Sequence, residues 1–72
     1  MTLFSQRLKE LRQKYGKTQK DMAEFLGIII RGYQRYEYGE GYPEVPGLVA
    51  LADFFDVSTD YLLGRSDDPS RH

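Results

Sequence analysis

No cysteine occurs anywhere in the chain, which excludes disulfides, thiolate metal sites and a cysteine nucleophile. Histidine is nearly as scarce. The one imidazole is His72, the last residue, so a zinc site lacks its usual ligands and no metal is expected. No apolar run approaches the ~18 residues that a bilayer span requires, and the opening MTLFSQRLKELRQ has no signal-peptide h-region. These absences read together as a soluble, cytoplasmic protein with no membrane partner. There is also no glycine-rich phosphate loop and no carboxylate dyad. Asp53, Asp56 and Asp60 read as solvated charges. An enzyme is therefore not expected, nor a cofactor, nor a small-molecule ligand.

What is present is one small domain of 72 residues, a length that buries only about 60% of the unfolded surface. The net charge of −1 hides an uneven distribution. Residues 1–35 carry eight Lys and Arg against three acids, whereas residues 36–72 carry two against eight. That segregation predicts a basic face and an acidic face. The plainer alternative is a solvated surface segregated by chance.

Periodicity and punctuation place five helices and no strands. Thr2 caps a first helix running to about Tyr15, with Leu3, Phe4, Leu8 and Leu11 as its core stripe and Gly16 as its stop. Arg7, Lys9, Arg12 and Lys14 occupy its other faces. Thr18 opens a second helix ending near Leu26. Asp21 three residues on comes close to a capping box, and Met22, Ala23 and Leu26 form the apolar side. Gly27 ends this helix in the left-handed conformation. A third helix runs from Ile29 or Ile30 to Tyr38, followed by a turn-rich connector over residues 39–46. Glu44 caps a fourth, over residues 45–55, with Pro46 in the first turn and Leu48, Leu51, Ala52 and Phe55 inward. Ser58 caps a short fifth helix closed by Gly64, of whose Leu62 and Leu63 one closes the core. Residues 65–72, RSDDPSRH, read as a polar tail or the start of a linker, leaving 1–64 as the domain.

The second and third helices, joined by a short turn containing glycine, make a helix-turn-helix. Neither is stable alone, because isolated helices under roughly 12–15 residues are marginal in water. The remaining helices must supply the core. The fold class is all-α, a compact five-helix bundle.

These residues carry a resemblance. TQKDMAEFLG, then YE-x-GE, then a proline, then LVALADFFDVSTDYLLG resembles the Xre/Cro-like, phage-repressor type of helix-turn-helix domain. The likeness spans essentially residues 3–64 and rests on several separated motifs in one order. It implies a lambda-repressor-like bundle that binds double-stranded DNA at a pseudo-palindromic operator as a homodimer, and a sequence-specific transcriptional regulator. It also implies residue roles. Thr18 and Gln19 open the second helix, where Gln19 touches a phosphate and braces the third. Ile30, Arg31, Gly32 and, one turn later, Arg35 face bases. Arg12 and Glu37 form a salt bridge between the first and third helices, and pairing commonly uses the fifth helix, around residues 61–63. The same scaffold used as a protein-interaction module is the alternative.

The residues themselves support parts of this reading. Arg31 and Arg35 are one turn apart, and a guanidinium can fork onto guanine O6 and N7; ordinary surface arginines are the plain alternative. Tyr33 and Tyr36 are expected in the core with their hydroxyls at the surface, while Tyr38 and Tyr42 are placed to bond phosphates. The sequence departs from the family pattern at Ile28–Ile29–Ile30, where a Ser or Thr usually caps the third helix. A missing cap costs about 1 kcal/mol, and Gly32 inside the helix costs about another 1 kcal/mol. Ile28 is expected in the core. Ile29 and Ile30 either meet thymine methyls or form a self-association patch, since contiguous exposed apolar surface marks interfaces.

Overall fold

The computed structural model describes residues 2–71. It holds five helices, α1 (Leu3–Lys14), α2 (Gln19–Leu26), α3 (Ile30–Glu37), α4 (Val45–Phe54) and α5 (Thr59–Leu63), and no strand among the described residues. Each boundary lies within one or two residues of its expectation; α1, α3 and α4 each stop one residue early, at Tyr15, Tyr38 and Phe55 as C-caps. No helix here is long and apolar enough to cross a membrane.

The helix ends follow the local chemistry. Thr2, Thr18 and Ser58 each accept a backbone N–H three residues on. At Thr18 the carboxylate of Asp21 returns the bond to the cap's own N–H at 2.9 Å, which completes the capping box. At the C-terminus of α2, Gly27 stands at φ +70°. Its N–H reaches the Glu24 carbonyl, and the N–H of Ile28 reaches that of Ala23 at 3.0 Å, a Schellman motif. α4 ends the same way around Asp56, a non-glycine residue at φ 54°, with Val57 N–H on the Ala52 carbonyl. Asparagine and aspartate tolerate that region better than other L-residues.

The core comprises Phe4, Leu8, Leu11, Met22, Ala23, Tyr33, Leu51, Ala52, Phe55, Val57 and Leu62. α1 is its spine, packing on α3 and α5, while α2 packs on α3 and α4 on α5. Burying a Leu or Phe side chain contributes about 1.5–3 kcal/mol, so this cluster is what holds the two short helices α2 and α3 in place. Leu62 closes the core and Leu63 is half-buried.

Several expectations are corrected. Leu3, expected in the stripe, is 44% exposed and lies instead under Gly64. Ile28, expected in the core, is 36% exposed; as the residue after the left-handed Gly27 it turns out over Gly32, its Cδ1 3.7 Å from where a Cβ there would stand. Arg7 is buried rather than facing solvent. Its guanidinium lies 4.0 Å from the centre of the Tyr61 ring and donates to the carbonyls of Tyr61 and Ser66 and to Asp67. With the Ser58 N–H bonded to the Pro69 carbonyl and Arg71 paired with Asp53 and Asp56, residues 65–71 lie back against α1, α4 and α5.

Candidate nucleic-acid interface

α3 has a buried side and an outward side, and the two do different work. The buried side centres on Glu37, 1% exposed. Its carboxylate accepts Nε of Arg12 at 2.6 Å and Nη2 at 3.0 Å, the hydroxyl of Tyr33 at 2.6 Å and Nε2 of Gln19 at 3.2 Å. Arg12 spends its remaining nitrogen on the Lys17 carbonyl at 2.9 Å. One carboxylate thus joins α1, α2 and α3. Among the described residues no buried side-chain polar atom lacks a partner, the condition under which a buried charge is tolerated.

The electrostatics follow from this geometry. Burial alone would raise the Glu37 carboxyl, but the bonds from Arg12, Tyr33 and Gln19 outweigh it and hold the group below the usual carboxylate range. Burial and then the bond to Glu37 push the Tyr33 hydroxyl well above an ordinary phenol. The bond to Glu37 raises Arg12. All three groups therefore keep fixed protonation states near neutrality, with Tyr33 and Arg12 as donors and Glu37 as acceptor.

The bridge between Arg12 and Glu37 is thus present. The Tyr33 hydroxyl is not at the surface, as expected from sequence, but is the buried donor to Glu37. Gln19 braces α3 from both ends of its amide, donating to Glu37 and accepting Nε2 of Gln34 at 3.1 Å. One Nε2 hydrogen is left for a ligand, since the amide has two.

The outward side carries Arg31, Arg35 and Tyr38 at i, i+4 and i+7, all exposed and therefore on one line. Arg31 makes no side-chain hydrogen bond or ion pair with any described residue. Arg35 makes only a long contact, 3.4 Å, to the Glu40 carbonyl. With Gln34 and Glu40 these residues line a shallow depression; a second, formed by Lys9, Gln19, Glu37 and Tyr38, adjoins it. Ile29 and Ile30 head the helix, 75% and 44% exposed. Ile29 is the N-cap and makes no side-chain cap bond. Gly32 is half-buried beside them, and Thr18 is exposed at the start of α2. Tyr42 is 57% exposed, with its ring tilted at 41° against that of Phe4 and the ring centres 5.1 Å apart. Among the described residues no cluster of His, Asp or Glu could hold a metal.

The chain matches a family model described as helix-turn-helix over residues 8–62. It is 44% identical over 61 residues to the SPbeta prophage-derived uncharacterized HTH-type transcriptional regulator YonR of Bacillus subtilis, covering 85% of this chain and 56% of that protein. It is 43% identical over 62 residues to the cryptic phage CTXphi transcriptional repressor RstR of Vibrio cholerae, covering 86% of this chain and 55% of that one. The chain therefore spans a little over half the length of these curated relatives. Among solved structures it is similar to the P22 c2 repressor protein in complex with synthetic operator 9T, with a TM-score of 0.81 at 26% identity over 92% of this chain and 100% of that one.

Proposed function

The chain belongs to the helix-turn-helix family, and from that premise we propose that it is the DNA-binding domain of a transcriptional regulator, not an enzyme. α3 lies in the major groove of double-stranded DNA, as the second helix of such a pair does. The observation that carries this reading is the division of α3 itself. Its inner line is fixed to α1 and α2 through Glu37, while its outer line offers Arg31 and Arg35 without strong partners in the chain. A similar protein, the P22 c2 repressor, occurs in complex with a synthetic operator.

The roles follow. Arg31 and Arg35 fork onto guanine edges or phosphates. Ile30 and Gly32 bring the first turn close to base edges. Thr18, Gln19 and Tyr38 sit at the margins and bond the backbone, which positions the helix without reading sequence. The chain acts as a homodimer on a pseudo-palindromic operator, its two recognition helices about 34 Å apart on successive major grooves. Binding-site selection from random duplexes, followed by footprinting and titration across salt, tests this. The expected result is one enriched half-site and an affinity that falls steeply as salt rises; no enrichment and no binding at low salt would refute it.

A further inference from the structure

A crevice lies between the end of α2, the second half of α3, the connector and the start of α4. Its volume is about 420 Å³, inside the range of roughly 300–1,000 Å³ typical of small-ligand sites. Leu26, Ile28, Tyr36, Tyr42, Pro43 and Pro46 supply its apolar lining. Ile28 and Tyr42, which the core leaves at 36% and 57% exposure, thus face one shared space.

Two charges of opposite sign line the same crevice, Arg35 and Glu44. Neither is neutralised inside the chain. Arg35 makes only the 3.4 Å contact to the Glu40 carbonyl, and its Nη2 lies 3.6 Å from where a Cβ on Gly41 would stand. Glu44 is exposed, holds the cap position of α4 without a side-chain cap bond, and forms no ion pair with any described residue. A ligand that meets all three features needs a carboxylate for the guanidinium, an ammonium for Glu44 and an apolar body. A phosphate of bound DNA would satisfy Arg35 alone. It would bring a second negative charge towards Glu44 and leave the apolar lining against water.

We propose that this crevice binds a small apolar zwitterion, an apolar amino acid or its dipeptide, and that the bound molecule competes with DNA for Arg35. The competition rests on the DNA-binding reading above. Arg35 belongs to two sites, since it also lines the depression along the outward side of α3 with Arg31 and Gln34. A guanidinium turned onto a carboxylate in the crevice is turned away from a base in the groove, and by linkage each ligand weakens the other by the same factor. No small-molecule ligand was expected from the sequence, because the lining comes from three helices and a connector, over residues 26–47, and no local pattern marks it.

Leucine, leucyl-leucine, N-acetylleucine, leucinamide and inorganic phosphate are titrated into the free protein and followed by amide NMR shifts. Leucine or leucyl-leucine should shift amides around the crevice saturably, with a Kd on the order of 1 mM or tighter. The tighter of the two identifies an amino acid or a dipeptide. N-acetylleucine lacks the ammonium and leucinamide the carboxylate, so each should bind at least about tenfold more weakly than leucine, as should the zwitterion to Glu44→Gln or Arg35→Ala. Saturating zwitterion should weaken the parent's affinity for its selected duplex about fivefold or more, and the same concentration should leave Glu44→Gln near its unliganded affinity. No saturable shift with either zwitterion, equal shifts with phosphate, or equal binding of the blocked derivatives would overturn the site. Equal binding by the two variants would place the ligand elsewhere and overturn it as well. Binding that leaves the duplex affinity unchanged would overturn the competition. A protein that takes the zwitterion but selects no duplex would uphold the site and refute the DNA-binding reading, because the titration is made without DNA.

Discussion

The hydroxyl of Tyr33 donates to Oε2 of Glu37, one turn further along α3, at 2.6 Å. Both side chains are buried, so the bond is made within the core. Tyr33→Phe keeps the ring and removes the donor. A hydrogen bond to a charged group contributes about 1.5–3 kcal/mol, and a loss of that size is expected in urea unfolding with an unchanged denaturant slope. The Arg12→Ala and Glu37→Ala cycle measures the companion bridge. Each single change should cost about 3–5 kcal/mol by stranding a buried partner, and the double change should cost clearly less than their sum. A coupling of zero would remove the bridge from the stability of the fold.

Acid should act through the same carboxylate. Glu37 in the folded chain lies below its ordinary value of 4.5, so the unfolded chain takes up its proton first as pH falls. The stability this group adds is present in full above about 4.5 and is lost as pH falls through the folded value. Denaturant midpoints measured from pH 6 down to pH 3, within the usual carboxylate range, should therefore decline. Glu37→Gln should start less stable at pH 6 and decline less steeply. Parallel profiles for the two proteins would show that other carboxylates set the acid limit.

On DNA, Arg31→Ala or Arg35→Ala should lose about 1–3 kcal/mol and relax preference at one position of the selected site. Gln19→Ala should weaken selected and unselected duplexes alike, because its amide holds α3 through Glu37 and Gln34 and carries no base information. Arginine variants that weaken every duplex equally would place both guanidiniums on phosphates.

The uncapped start of α3 leaves room for stabilisation. Ile29→Ser supplies a hydroxyl at the N-cap and gives up little burial, for an expected gain of about 1 kcal/mol. Gly32→Ala should add about 1 kcal/mol by helix propensity, since its Cβ would meet neighbours only at ordinary contact distances. Thermal unfolding checks both. A lower melting temperature for Ile29→Ser would mean that the isoleucine packs in solution.

Gly64 should behave in the opposite way. It stands at φ +82°, and an added Cβ would lie 2.7 Å from Cδ2 and 3.0 Å from Cβ of Leu3. Gly64→Ala carries a left-handed penalty of about 1–2 kcal/mol together with the collision. Combining it with Leu3→Ala should recover part of the loss, and no recovery would assign the whole cost to the backbone.

Local chemistry was legible in the sequence where its partners lie close in the chain. The Thr18–Asp21 box and the Gly27 stop were read from residues three to nine apart, and the helix limits follow from them. The bridge between Arg12 and Glu37, 25 residues apart, came from the family likeness and not from periodicity. The third donor to that carboxylate was missed. Tyr33 and Glu37 at i and i+4 on the inner line of a helix were the available signal, but a tyrosine was expected to keep its hydroxyl wet. Arg7 was missed because its partners are 54 to 60 residues away and no pattern marks a cation that will be covered by a ring. Ile28 was misplaced because being apolar does not tell a side chain under the core from one turned out after a left-handed residue. The outward line of α3 was legible as exposed, since Arg31, Arg35 and Tyr38 leave Tyr33 and Glu37 to the inside.

That the carboxylate of Glu37 gathers donors from three helices has an evolutionary consequence. The side chains that hold α3 in place and the two arginines that it presents are different ones: Tyr33, Gln34 and Glu37 make the anchoring bonds, while Arg31 and Arg35 stand one turn apart on the exposed side. Substitutions on the presented line leave the anchoring bonds untouched and cost little stability. Lineages carrying such a domain can therefore change what they recognise in single steps without passing through unfolded intermediates. An engineer can do the same by randomising those two positions while leaving Arg12, Gln19, Tyr33, Gln34 and Glu37 as they are.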